Sequence, residues 1–152
     1  MYNEPRTTRA TGLPIRLLTE AEWEKAARGT DGRIYPWSNT WRADFCNTEA
    51  AGIKGTTPVD RHPRGRSPYG AYDMIGNVWE WTSTLYKPYL YQADDGRENL
   101  RKTGARVLHG GSWRSTPRLA RARRSATSAS STGTTTAGFV WGWRLLSLPS
   151  DL

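Results

Sequence analysis

The sequence has a single cysteine, Cys46, which excludes an internal disulfide and says little about redox compartment. Only two phenylalanines stand against eight tryptophans and seven tyrosines, so the core is expected to be rich in indoles and phenols with hydrogen-bonding tips. No apolar run approaches membrane-spanning length and no charged-then-apolar leader opens the chain, which therefore reads as soluble. Asp and Glu are absent from Asn99 to Ser150, while Arg101, Lys102, Arg106, Arg114, Arg118, Arg121, Arg123, Arg124 and Arg144 add nine positive charges there. With a net charge of +8, the remaining residues sum to −1 (8 − 9), so the basicity belongs to the C-terminal third. Such a block suits an acidic partner, a phosphate-bearing surface or nucleic acid; a merely solvated basic face is the plain alternative.

A chain of 152 residues is expected to form one domain with a core of its own. Its clearest local signal is Leu18-Thr19-Glu20-Ala21-Glu22-Trp23-Glu24-Lys25-Ala26-Ala27-Arg28-Gly29. Thr19 and Glu22 have the spacing of a capping box, and Leu18 and Trp23 that of a hydrophobic staple. Glu20 and Glu22 complement the positive end of the helix dipole, Arg28 the negative end, and Gly29 suits a left-handed cap. Trp23, Ala26 and Ala27 mark the buried face.

From Thr30 to Pro68 the signals are turns, and a loop-rich span this long needs pinning, by aromatic plugs (Tyr35, Trp37, Trp41, Phe45) or by cations. A strand is expected around Val78–Thr82, with Trp79 and Trp81 on one face. Asp73, Asn77 and Glu80 are oxygen donors in or beside it. Lys87 to Gly104 reads as an exposed polar loop, Arg106–His109 as a strand ended by Gly110-Gly111-Ser112-Trp113, and Val140–Leu146 as a last strand. Between them, the Ser/Thr-rich stretch Ser125–Gly138 reads as a long surface loop.

Arg16-Leu17-Leu18-Thr19-Glu20-Ala21-Glu22-Trp23-Glu24, Gly55-Thr56-Thr57-Pro58-Val59, Ser67-Pro68-Tyr69-Gly70, Gly76-Asn77-Val78-Trp79-Glu80-Trp81-Thr82, Arg106-Val107-Leu108, Gly110-Gly111-Ser112-Trp113 and Gly142-Trp143-Arg144 occur in order. This succession resembles the formylglycine-generating-enzyme (sulfatase-modifying factor) branch of the C-type lectin fold, over about Gly12 to Leu146. The resemblance implies an α+β, loop-rich fold with little regular secondary structure. It divides the chain into an arm (1–12), a C-type lectin domain (13–147) shortened at its N-terminus, with a surface region at 114–140, and a tail (148–152). Bound calcium is implied for some members. One site would use the side chains of Asp73 and Glu80 and the carbonyls of Gly76 and Val78; a second would use Asn47 and the carbonyls of Thr48 and Ile53. Ala51 stands where the second site's carboxylate is usual. Asp73 and Glu80 serving only as turn caps is the alternative.

Catalysis transfers poorly. Family members that oxidise cysteine hold copper with a cysteine pair after the Gly-Gly-Ser-Trp motif, and Arg114 to Val140 has none; Ser and Thr cannot replace soft thiolates for copper(I). Members that use iron need a histidine cluster, whereas only His62 and His109 exist here, read as a loop contact and a strand-end hydrogen bond. No copper, no iron and no enzyme activity are therefore expected.

Another group in this branch comprises the variable proteins of diversity-generating retroelements, whose segment after Gly-Gly-Ser-Trp is rewritten at template adenines. Asn codons rewritten at their first two bases cannot yield Lys, Glu, Gln, Met or Trp, and Arg114–Val140 contains none of the five. Asn, Asp, His and Tyr are missing too, as extensive rewriting of adenine would leave it; a GC-rich low-complexity loop has the same composition. The resemblance makes Arg114, Ser115, Thr116, Arg118, Arg121, Arg124, Thr127, Ser128, Ser130, Thr132, Thr134, Thr136 and Phe139 a candidate binding face for a macromolecular, acidic ligand. An ordinary lectin-fold binding protein and a nucleic-acid binder are the alternatives, the latter disfavoured by the absence of stacking aromatics from Arg114 to Gly138. Display on a cell or virus surface through another factor is what the group implies for location.

Overall fold

In the computed structural model, which describes residues 16–92, 94–120, 122 and 126–128, the helix α1 (Glu20–Arg28) starts at its expected cap. Thr19 Oγ1 accepts the Glu22 amide at 3.2 Å, and Glu22 Oε2 accepts the Thr19 amide at 2.8 Å. Arg16 grips the same carboxylate with two bonds of 2.7 and 2.5 Å. That guanidinium, more than the capping amide, draws the Glu22 carboxyl from 4.5 down to about 2. A depressed carboxyl contributes stability above its unfolded pKa and loses it as pH falls through the folded value. Acid unfolding of Glu22→Gln is therefore expected to lack a component that wild type loses between about pH 4.5 and 2. Thr19→Ala should cost about 1 kcal/mol in urea unfolding.

α1 ends differently from expectation. Gly29 has φ +68° but ψ −153°, an extended conformation open to glycine rather than a left-handed helical cap, and its amide still closes the helix on Lys25 O. Beyond it, three 3-10 turns (Ala43–Phe45, Glu49–Ala51, Pro63–Gly65) carry the chain to a small antiparallel sheet. Its strands β1 (Glu80–Leu85), β2 (Arg106–His109) and β3 (Ala126–Ser128) lie in sequence order. Glu80 faces His109 and Trp81 faces Leu108; a bulge then shifts the register to Leu85 opposite Arg106.

Trp79 and Trp81 are not the centre of this frame. β1 begins after Trp79, and both indoles are half-buried, while Thr82, Ser83 and Thr84 are buried. The reason is polar: Thr82 Oγ1 donates to Val107 O at 3.0 Å, and Thr84 Oγ1 accepts the Glu20 amide at 2.8 Å, joining β1 to the first turn of α1. Short hydroxyls fit between packed backbones where indoles do not. The core indole is instead Trp23, clustered with Ala26, Ala27, Cys46, Ala71, Met74, Ile75, Ala120 and Ala122.

The span after α1 is pinned by rings. Tyr35 stacks on Trp37 at 5.6 Å, Trp41 meets Tyr35 edge-on at 5.3 Å, and Phe45 meets Trp37 edge-on at 5.4 Å. The guanidinium carbons of Arg42 and Arg64 lie 5.1 and 4.9 Å from the Phe45 centroid.

Most described residues from Lys87 to Gly104 are exposed, as expected, and the loop is anchored at Arg97. Arg97 is 1% exposed, its side chain bonded to Asp95 at 2.8 Å, and its carbonyl accepts the Leu85 amide at 2.8 Å, continuing the bonding of β1. Within the stretch read as a surface loop, Ala126–Ser128 departs from expectation by adding β3 to the edge of β2, with Val107 opposite Thr127; the rest of the stretch lies outside the described residues. Val140–Leu146 lies outside the described residues. Among the described residues, no helix is long and apolar enough to cross a membrane.

Candidate ligand-binding face

The site is built from two loops distant in sequence. Gly76 pairs with Asn47 in an isolated parallel bridge, and the Asn77 amide donates to Asn47 O at 2.7 Å. The Asn77 carboxamide extends this knot, accepting from Thr57 N at 2.9 Å and donating to Asp73 Oδ2 at 3.0 Å. Asn77 O then receives the Trp113 amide at 3.1 Å, tying in the Gly-Gly-Ser-Trp turn.

That turn is closed twice. Ser115 N donates to Ser112 O at 2.9 Å, and Ser112 N donates to Ser115 Oγ, also at 2.9 Å. Gly111, at φ +79°, allows this: a Cβ there would stand 3.0 Å from Ser115 Oγ. Ser115 O accepts the Glu49 amide at 3.2 Å, drawing the 49–54 loop against the turn. Between them lies an open cavity of about 360 Å³ lined by Glu49, Gly52, Lys54, Trp113 and Arg114. The Arg114 guanidinium carbon sits 4.8 Å from the Trp113 ring, a flat cationic surface at the rim. Such a surface can take a carboxylate or a planar group, with Lys54 and Glu49 supplying charge of both signs.

Of the expected binding residues, Arg114, Thr116 and Arg118 are exposed. Ser115 is not: it is 5% exposed and its oxygens hold the turn, so it leaves the face. Ala120 and Ala122, within the same span, are fully buried in the core cluster. Among the described residues from Arg114 to Ala122, buried anchors and exposed positions are thus interspersed. Thr127 and Ser128 belong to β3. Arg121, Arg124, Ser130, Thr132, Thr134, Thr136 and Phe139 lie outside the described residues. Sequence reasoning missed Glu49, Gly52, Lys54 and Trp113 as lining. Only the contact between distant loops brings them together, although a charged pair flanking a glycine opposite a Trp-Arg step was visible.

The expected calcium positions fall into two environments. Asp73 (φ +54°) accepts from Asn77, and Glu80 Oε2 accepts the Trp23 indole N–H at 2.6 Å, which draws Glu80 toward α1. Gly76 is buried and Val78 half-buried. At the second position, Asn47 is fully buried with its Oδ1 lacking a hydrogen-bond partner; Thr48 is buried and Ile53 is exposed. An orphaned buried amide oxygen fits a hard cation. Cys46 is buried, and burial pushes its thiol up to about 12, so it is protonated near neutral pH. His62 Nδ1 lies 3.3 Å from Asp44 O, the expected loop contact. His109, at the end of its strand, stacks on Trp23 with ring centroids 4.4 Å apart and brings Nε2 to 3.5 Å from Glu20 Oε1, a long contact in place of the expected short hydrogen bond.

Comparison with known proteins bears on the family and the fold. The family model described as "Sulfatase-modifying factor enzyme 1-like domain" matches residues 4–144. The mouse protein named "Inactive C-alpha-formylglycine-generating enzyme 2" is 40% identical over 109 residues, covering 64% of this chain and 31% of its own. The formylglycine-generating enzyme of Mycobacterium tuberculosis is 46% identical over 87 residues, 49% of this chain and 28% of that protein. The chain therefore spans about a third or less of the length of these curated relatives. Among solved structures, Treponema denticola variable protein 1 superposes with a TM-score of 0.62 at 28% identity, covering 75% of this chain and 42% of the other. With a nine-residue helix, three short strands and pinned loops among the described residues, the chain has the C-type lectin-like fold and belongs to the formylglycine-generating-enzyme (sulfatase-modifying factor) family.

Proposed function

We propose that this chain is a non-enzymatic binding protein whose ligand sits on the Arg114 side of the Gly-Gly-Ser-Trp turn, with 114–140 a diversified segment of the kind found in retroelement variable proteins. The observation that carries this reading is the arrangement of that turn. Anchors (Ser115, Ala120, Ala122) are buried, Arg114 is exposed at the cavity, and Thr116 and Arg118 are exposed between the anchors. Exposed positions contribute little to stability, so their side chains can be replaced without loss of the frame. The likeness to the Treponema variable protein and the absence of cysteine from Arg114 to Val140 support it. So does Cys46, whose buried, protonated thiol suits neither copper nor a nucleophile.

The decisive test of diversification is the neighbouring DNA. A near-copy of the 3′ coding segment differing only at adenines, beside a reverse transcriptase, is expected; its absence sinks the retroelement part of the reading. Turnover of a cysteine peptide with copper and oxygen would sink the non-enzymatic part. The basic C-terminal third supports an acidic partner, and polyglutamate is a suitable probe. Arg114→Ala with Arg118→Ala is expected to weaken polyglutamate binding by about tenfold or more, two charge-assisted contacts being lost. Tight binding to random DNA with a steep salt dependence would favour the nucleic-acid alternative.

Calcium belongs to the same proposal as a structural ion, and the orphaned Asn47 Oδ1 is the oxygen that supports it. Chelator is expected to lower the melting temperature of wild type, and Asp73→Ala and Asn47→Ala show which ligand set holds the ion. Identical melting with and without chelator would overturn the expectation.

A further inference from the structure

From a separate cluster under α1, we infer a second, transition-metal site formed by Glu20, Glu24 and His109, with zinc as the fitting ion. Among the described residues, these three side chains bring one ligand atom each to within 4.8 Å of one another. Two of them come from α1 at a spacing of four, which stacks them on one helical face. His109 comes from the end of β2, directly opposite Glu80 across the ladder.

The imidazole is the observation that points to an ion. His109 is fully buried, held flat against Trp23 at 4.4 Å with 16° between the rings. Its Nε2 makes one long ionic contact, 3.5 Å to Glu20 Oε1, and its Nδ1 has no hydrogen-bond partner. Buried imidazole nitrogens are ordinarily satisfied by short bonds, and a ring with one long ionic contact and one bare nitrogen beside two carboxylates has the donor character of a metal ligand.

The charge balance points the same way. Glu20 is 5% exposed and accepts the Tyr89 hydroxyl at 2.8 Å, an outer contact that orients it. Glu80, the residue paired with His109, is held by the Trp23 indole. Glu24 meets Arg28 through Oε2 at 3.3 Å, with side chains 22% exposed on both sides, so the cluster has an edge open to solvent. A divalent cation there would offset carboxylates that are otherwise costly to bury.

One imidazole and two carboxylates suit zinc over calcium, which prefers oxygens alone. Tetrahedral zinc holds its ligand atoms about 3.4 Å apart, so the three must draw together by up to about 1.4 Å, within reach of rotamer adjustment in the two glutamates. The fourth position would be left to water. This inference does not depend on the binding face at Arg114.

The test uses the full chain, dialysed against chelator and titrated with zinc alone by calorimetry, with cobalt(II) as a visible-absorption reporter. The expected result is saturable binding of one zinc per chain and a rise in melting temperature. The imidazole NMR signals of His109 should shift while those of His62 stay still. Glu24→Gln, which keeps the helix and the side-chain shape, should weaken binding by about tenfold or more. The inference is overturned if no stoichiometric binding occurs, or if zinc binds equally to Glu24→Gln without moving the His109 signals. The NMR readout on unmutated protein stands even if a variant fails to fold.

Discussion

Gly76→Ala is expected to abolish the folded state, or to cost more than about 4 kcal/mol, the range reserved for a specific structural clash. A Cβ on Gly76 would stand 2.2 Å from Asn47 O and 2.7 Å from Asn47 C, both backbone atoms that cannot swing aside. The glycine also sits at φ +81°, and moving it would break the Asn47–Gly76 bridge and the bond from Asn77 N to Asn47 O. Gly70→Ala is the matched control. Gly70 has φ +78° but nothing within 4 Å of its would-be Cβ. That substitution carries only the left-handed penalty of about 1–2 kcal/mol. Denaturant unfolding of the two variants separates clash from conformational strain, and equal losses would refute the packing argument. Since this bridge supports Asn77 and, through Asn77 O, the Trp113 turn, any folded fraction of Gly76→Ala should also lose the Arg114 face.

Trp23→Ala is expected to destabilise the chain by about 3–5 kcal/mol, the usual cost of deleting a buried aromatic side chain. Trp23 is 2% exposed and packs among small residues, so little can collapse into the space it vacates. The loss should appear as a fall in melting temperature of about 10 °C for a domain of this size. Part of the effect is polar, because the indole N–H donates to Glu80 Oε2 at 2.6 Å. Trp23→Phe keeps most of the packing and deletes that bond, with an expected cost of about 1.5–3 kcal/mol for a hydrogen bond to a charged group. A Trp23→Phe variant as stable as wild type would mean that Glu80 is satisfied without the indole. Both variants also remove or change the surface on which His109 stacks, so zinc affinity in Trp23→Phe reports how far the indole positions that imidazole.

What the sequence determined by itself was local or linear. The capping box at Thr19 and Glu22, the buried Trp23–Ala26–Ala27 face and the Arg106–His109 strand depend on neighbours within a turn or on alternation, so their spacing suffices. The ordered motifs from Arg16 to Arg144 were enough for the family, because several short patterns in fixed succession rarely coincide by chance. Tertiary structure decided what depends on partners far along the chain. It made Trp23 rather than Trp79 or Trp81 the core indole, since the hydroxyls of Thr82 and Thr84 had backbone partners to meet between β2 and α1. It turned Ser115 inward and left Arg114 outward, a choice made by the 49–54 loop docking on the turn. It also set His109 beside Glu20 and Glu24, residues more than eighty positions away, where no spacing rule along the chain could reveal a common site.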